Sequence, residues 1–131
     1  MTGEGDLRTL LADLEPELQT GRYVFTTTTQ VPDEAVPVAL VRETEGVTLV
    51  LEQEQADGFG LSYEYVAAMI TLRVHSSLEA VGLTAAVSQR LAAAGISCNV
   101  VAGYFHDHLF VPVDMGAQVV DILRDLRESY R

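Results

Sequence analysis

"LRVHSSLEAVGLTAAVSQRLAAAGISCNVVAGYFHDHLFVPVD", residues 72–114, holds a strand end, a helix and a hairpin in succession, and its reading decides the fold. Across residues 66–75 the apolar Ile70, Leu72 and Val74 alternate with Thr71, Arg73 and His75, the period of a strand with one polar face. Leu83, Val87 and Leu91 then recur four apart, which predicts a helix over 83–94 that Gly95 stops. Two apolar runs, 96–104 and 109–113, flank the polar tip Phe105-His106-Asp107-His108 and predict a hairpin turning at Asp107. Asp114 is placed to cap a last helix with Met115, Val119, Ile122, Leu123 and Leu126 on its core side. Asp121, Arg124, Asp125 and Glu128 face water on the other. The order βαββα is that of an α+β, ferredoxin-like domain, with helices laid on one face of an antiparallel sheet and only the closing strand missing.

Upstream, Asp6 is a plausible cap for a short helix bearing Leu7, Leu10, Leu11 and Leu14, which Pro16 should end. The run YVFTTTT, residues 23–29, reads as a strand and VPDEAVP, 31–37, as a turn. Residues 38–42 and 47–51 flank Glu43-Thr44-Glu45-Gly46, a second hairpin. The acidic stretch 52–60 suggests one or two helical turns ending at Gly58 and Gly60. A boundary near residue 62 divides the chain into an N-terminal unit, 1–62, and a C-terminal unit, 63–131. Pattern reading finds about six strands and four helices. Two full βαββαβ copies need more strands, so either short ones escape the pattern or the halves exchange one.

Composition narrows the function. Of 131 residues, all eight basic ones are Arg, so Schiff-base lysines and the GxxxxGK[ST] phosphate loop are absent. A formal charge of −11 argues against nucleic acid and anionic membrane surfaces as partners. The acids crowd the first half: residues 1–64 carry 13 acids and 3 Arg, residues 65–131 carry 6 and 5. Cys98 is the one cysteine, so no intramolecular disulfide forms. The acidic start does not look like a signal peptide, and no stretch approaches the apolar length of a membrane span; a cytoplasmic protein is expected.

The stretch quoted above resembles an ACT domain, a small ligand-binding module of amino-acid metabolism. The resemblance rests on SLEAVGLTA, on GISCN after an Ala-rich helix and on DHLFVPV. The chain is similar to bacterial proteins with two ACT-like units in tandem, and its C-terminal unit to those of cytosolic arginine sensors and aspartate kinases. The resemblance implies an amino acid bound at an interface between units, beside the loop that leads into the first helix of the C-terminal unit. Ser76, Ser77, Leu78, Glu79, Val81, Gly82 and Leu83 would line it, Ser97 and Asn99 would complete the wall, and Asp107 falls where arginine sensors place an acid. The helix N-terminus there suits a carboxylate, and Glu79 or Asp107 an ammonium or guanidinium. The usual Asp-x-Pro-Gly form of that loop is Glu79-Ala80-Val81-Gly82 here, which leaves the ligand's identity open.

Other readings of the same residues stand beside this one. Ser76 and Glu79 have the spacing of a capping box, so the loop could simply start a helix, with Gly82 inside it. His106 and His108, with His75 or Asp114, are a weak metal motif, and Cys98 lacks a partner in sequence to activate it. The polar corner therefore reads best as the donor of Asp107 to a ligand interface. Taken together, the sequence implies a non-enzymatic amino-acid sensor acting as a homodimer, with no catalytic residue, metal or cofactor. The alternative is a ligand-free module that docks a partner protein.

Overall fold

The computed structural model of the protein describes residues 6–74 and 81–131. Its elements run α1 (Leu7–Ala12), β1 (Pro16–Leu18), β2 (Tyr23–Thr28), β3 (Ala39–Glu43), β4 (Gly46–Glu52), α2 (Gln53–Gly58), β5 (Val66–Leu72), α3 (Leu83–Ala93), β6 (Asn99–Ala102), β7 (Asp107–Pro112), a 3-10 turn (Val113–Met115) and α4 (Gly116–Glu128). They divide into two compact units. The larger joins the described residues up to Gln19 to Ala68–Arg131, and the smaller is Thr20–Ala67.

In the larger unit β7 lies beside β5 and β6 beside β7, and the helices cover one face of these strands. The alternation read from the sequence is realised: Ala68, Ile70 and Leu72 of β5 and Leu109 and Val111 of β7 enter the core, where Leu83, Val87 and Leu91 of α3 and Val119, Leu123 and Leu126 of α4 meet them. The closing strand comes from the other end of the chain. β1 pairs antiparallel with β5 in the register Pro16↔Leu72, Glu17↔Thr71, Leu18↔Ile70. Pro16 has no N–H to offer a ladder, which a first residue of a short strand tolerates. Such a strand has no periodicity to betray it.

α1 reaches the same core. The Asp6 carboxylate accepts from the Arg8 N–H at 3.2 Å and the Thr9 hydroxyl at 3.1 Å, so the expected cap is present. Six residues are too few for a stable isolated helix, and burial of Leu10, Leu11 and Leu14 supplies what propensity does not. α4 departs from its expected start. Asp114 lies exposed within the 3-10 turn and α4 begins at Gly116 with no side-chain cap. Close packing explains it: a Cβ on Gly116 would sit 2.9 Å from Leu18 Cδ1 and 3.1 Å from the Ala68 Cβ. The α4 core side also takes in Val120, while Met115 and Ile122 are only partly buried.

The smaller unit repeats the plan in reduced form. Its strands lie in the order β3-β4-β2, and Val66 and Ala67 at the start of β5 pair with Val24 and Tyr23, in the closing position. α2 covers a small core of Val24, Leu49, Leu51 and Ala56. Between β2 and β3 a Pro-bounded turn stands where the plan has a helix. Thr26, buried, donates its hydroxyl to the Ser62 carbonyl at 2.7 Å, so its burial leaves no polar atom wanting.

Candidate functional site

Of the residues the sequence points to, Ser76, Ser77, Leu78 and Glu79 lie outside the described residues, as does His75. The described part of the loop ends in Val81, which is 82% exposed, and Gly82, which stands before the first turn of α3 with φ +101°. Gly82 is therefore not inside a helix. Gly82 stands at the N-cap with no side chain to offer, so among the described residues no side chain caps the leading N–H groups of this 11-residue helix. The side chain of Leu83 is buried in the core. Gly82 also serves the fold, because a Cβ there would lie 3.0 Å from Leu7 Cδ2.

The remaining candidates sit elsewhere in the unit. Asp107 is the first residue of β7, opposite Ala102, and half-buried. The hairpin tip is residues 103–106, closed by the Gly103 N–H donating to the His106 carbonyl at 2.8 Å. The turn thus falls before Asp107, and Asp107 and His108 belong to the strand. Ser97 and Asn99 are exposed, at the end of α3 away from Gly82. Eleven residues at 1.5 Å each put about 16 Å of helix between these two places. Asn99 pairs with Phe110, about 10 Å along β7 from Asp107. One unit does not gather Gly82, Ser97, Asn99 and Asp107 around a single small molecule.

The structure does gather a polar network that sequence reasoning left unassembled. On the face of the larger unit's strands away from the helices, Arg73 Nη2 meets Glu17 Oε1 at 2.9 Å and Arg73 Nε meets Glu17 Oε2 at 3.3 Å. Gln19 Nε2 donates to Glu17 Oε1 at 2.8 Å and to Thr71 Oγ1 at 3.0 Å. Thr71 Oγ1 lies 3.0 Å from His108 Nδ1. A carboxylate only accepts, so the Gln19 amide donates to Glu17 and to Thr71, and the Thr71 hydroxyl shares a hydrogen bond with His108 Nδ1 whose direction follows the imidazole tautomer. Burial holds the His108 pKa below the usual imidazole range, helped by nearby His106 and Arg73 and opposed by Asp107. Burial likewise raises the Asp107 carboxyl, with His108 and His106 pulling it back. The Glu17 carboxyl is lowered by its bonds to Arg73 and then Gln19. His106 Nδ1 is buried with no hydrogen-bond partner among the described residues.

The signal for this network was partly legible. Thr71 and Arg73 alternate with the core residues of β5, but Glu17 and Gln19 join them only once β1 is known to be a strand. Burial raises the Cys98 thiol, as befits a small residue packed at the core edge rather than a nucleophile. In the larger unit a groove of about 390 Å³ runs between β1 and α4, lined by Leu18, Val120, Asp121 and Arg124 among others. Glu15 and Glu17 on its rim are already paired with Arg127 and Arg73.

With this geometry in hand, the comparisons with known proteins are direct. Residues 2–68 match one ACT domain model and residues 64–125 another. The chain belongs to the ACT domain family. Its two tandem ACT domains overlap at residues 64–68, where β5 begins, the strand that closes one ladder and opens the next. A protein of unknown function from Vibrio cholerae, described as a possible transport protein, is 46% identical, with a TM-score of 0.83 over 92% of this chain and 95% of that one. An Agrobacterium tumefaciens protein is 17% identical, with a TM-score of 0.69 over 87% and 89%. The ligand-free regulatory subunit of aspartate kinase from Thermus thermophilus is 8% identical, with a TM-score of 0.63 over 85% and 95%. The last two share the ACT fold. No curated protein matches the chain. Membership of the ACT family supports a regulatory, ligand-binding role, and no helix among the described residues is long and apolar enough to cross a membrane.

Proposed function

We propose that the protein is a non-enzymatic, cytoplasmic sensor that binds an amino acid where ACT units meet and acts as a homodimer. The start of α3 carries this reading: among the described residues no side chain caps its N–H groups, and those groups with the helix dipole suit a carboxylate. Asp107, half-buried at the start of β7, is the candidate for the ligand's ammonium or guanidinium. The loop residues Ser76, Ser77, Leu78, Glu79, Val81 and Gly82, with Leu83, would line the ligand. Ser97 and Asn99, a helix length from Gly82, would contribute from a second ACT unit across the interface. Along the chain, residues 1–62 form the N-terminal ACT-like unit and residues 63–131 the C-terminal ACT unit in this reading.

The test is thermal unfolding of the full chain with each of the twenty amino acids at millimolar concentration. A ligand present at a hundred times its Kd stabilises the folded state by about 2.7 kcal/mol, a shift of several degrees for a protein of this size. One or two amino acids are expected to raise Tm, and Asp107→Asn to abolish the response. No shift with any of them would overturn the sensor reading in favour of a module that docks a partner protein.

A further inference from the structure

We propose that the groove between β1 and α4 docks the carboxyl-terminal end of another protein, an extended segment with aliphatic side chains at its last and third-from-last residues. The site lies wholly within the larger unit and goes beyond the sensor reading, on which it does not depend. β1 pairs with β5 alone, so among the described residues no strand lies against its other edge. The hydrogen bonds that flank β1 fix what that edge presents. The Arg73 N–H donates to the Glu15 carbonyl at 2.7 Å and the Gln19 N–H to the Met69 carbonyl at 2.9 Å. Alternation then turns the backbone of Glu17 towards β5, and the Leu18 N–H and C=O and the Pro16 C=O outward. Leu18 is 43% exposed, and with Pro16, Ala117 and Val120 it makes the apolar floor of the groove.

The charges along the groove give the segment its direction. α4 runs antiparallel to β1, because Gly116 at its start packs on Leu18 and Arg127 near its end donates to the Leu14 carbonyl at 3.2 Å. Arg124 therefore stands at the Pro16 end of the groove, with Asp121 one turn nearer Leu18. Glu15 and Glu17 are held by Arg127 and Arg73, whereas Arg124 has no ion-pair partner among the described residues. A strand added antiparallel to β1 runs from Leu18 towards Pro16. Its residue opposite Leu18 exchanges both hydrogen bonds with Leu18. Its residue opposite Pro16 donates to the Pro16 carbonyl but finds no N–H for its own oxygen, since proline has none. Within a chain that oxygen would be left wanting; at a chain end it is a carboxylate, and Arg124 is placed to receive it. Three residues also make too short an edge for a longer strand. Cross-strand neighbours share a face, so the last and third-from-last side chains lie over the floor with Pro16 and Leu18, and the one between lies on the side of Glu17. Glu17, Asp121 and a formal charge of −11 favour basic residues between and upstream of the two aliphatic ones.

The experiment is fluorescence anisotropy of the full chain with a fluorescein-labelled peptide, Gly-Lys-Val-Lys-Leu, that ends in a free carboxylate. Saturable binding is expected, weakened about tenfold or more when the carboxylate is made an amide, and by a similar factor in Arg124→Ala. Simple attraction to an acidic chain would instead favour the amide, whose charge is more positive. Ala117→Trp, at an exposed position, fills the groove and is expected to abolish binding with unchanged circular dichroism. No saturable binding, an amide that binds as well as the acid, or an Arg124→Ala chain that binds unchanged would each overturn the proposal. So would displacement of the peptide by an equal concentration of free leucine, because the groove would then take a single amino acid. The sensor reading is judged separately: Asp107→Asn is expected to leave peptide binding intact, and Arg124→Ala to leave the amino-acid shift in Tm intact.

Discussion

At the scale of single residues, the titratable groups at the β6-β7 corner give the sharpest expectations. A carboxyl whose folded pKa is raised holds its proton more tightly in the folded state, so its contribution is favourable at low pH and lost as pH rises through the raised value. At neutral pH Asp107 thus weakens the fold, and Asp107→Asn is expected to raise the Tm of the ligand-free protein while removing the amino-acid response. A lower Tm would mean that the carboxylate has a structural partner. His108 has the opposite arithmetic. Its folded pKa is lowered, so the stability it lends is present above the usual imidazole value of 6.5 and is lost as pH falls through 6.5 towards the folded value. Melts at pH 7.5, 6.5 and 5.5 should decline more steeply for the wild type than for His108→Gln; equal slopes would mean that burial does not hold His108 below the usual imidazole range. Gly82→Ala places a side chain at φ +101° and 3.0 Å from Leu7, so it is expected to cost about 1–3 kcal/mol in urea unfolding. That expense falls on the fold, which is why Asp107 rather than Gly82 tests the ligand.

At the scale of elements, legibility followed length and periodicity. α3 and β5 were visible because eleven or seven residues repeat a pattern long enough to exceed chance. β1 has three residues and follows a proline meant to end a helix, so nothing in LEPELQT announced a strand. The tip of the hairpin was displaced for a related reason: Gly103 and His106 close the turn through backbone hydrogen bonding, which the polar string HDH does not encode. The contribution of α1 is measurable. Leu10 is fully buried in the larger core, and Leu10→Ala is expected to cost about 2–5 kcal/mol, read as a lowered urea midpoint. A cost near that of a surface change would mean that α1 frays from the unit that includes Ala68–Arg131. Gly116→Val, which would force a Cβ against Leu18 and Ala68, is expected to destabilise by about 1–3 kcal/mol through the same contact of α4 with β1.

At the scale of the whole molecule, chain order and spatial order diverge. A fragment of residues 63–131 contains the C-terminal ACT unit as sequence but lacks β1, which closes its ladder, and the leucines of α1, which fill its core. Expressed alone, it is expected to lack a cooperative thermal transition; adding residues 6–19 through a linker is expected to restore one, followed by circular dichroism. A fragment that melts cooperatively by itself would show that the N-terminal segment is an accessory. The amino-acid sequence by itself determined the α+β class, the polar face of β5 and the exclusion of lysine chemistry, because each depends on residue type or on a period repeated within one element; the tandem ACT plan came from its resemblance to a known family. Only the tertiary structure decided which segment closes which ladder, that Glu17, Gln19, Thr71, Arg73 and His108 form one network, and that Ser97 and Gly82 stand a helix apart. Those facts are pairings between segments distant in the chain. A three-residue strand carries too little pattern to specify its partner, and the partner's open edge and core make the choice.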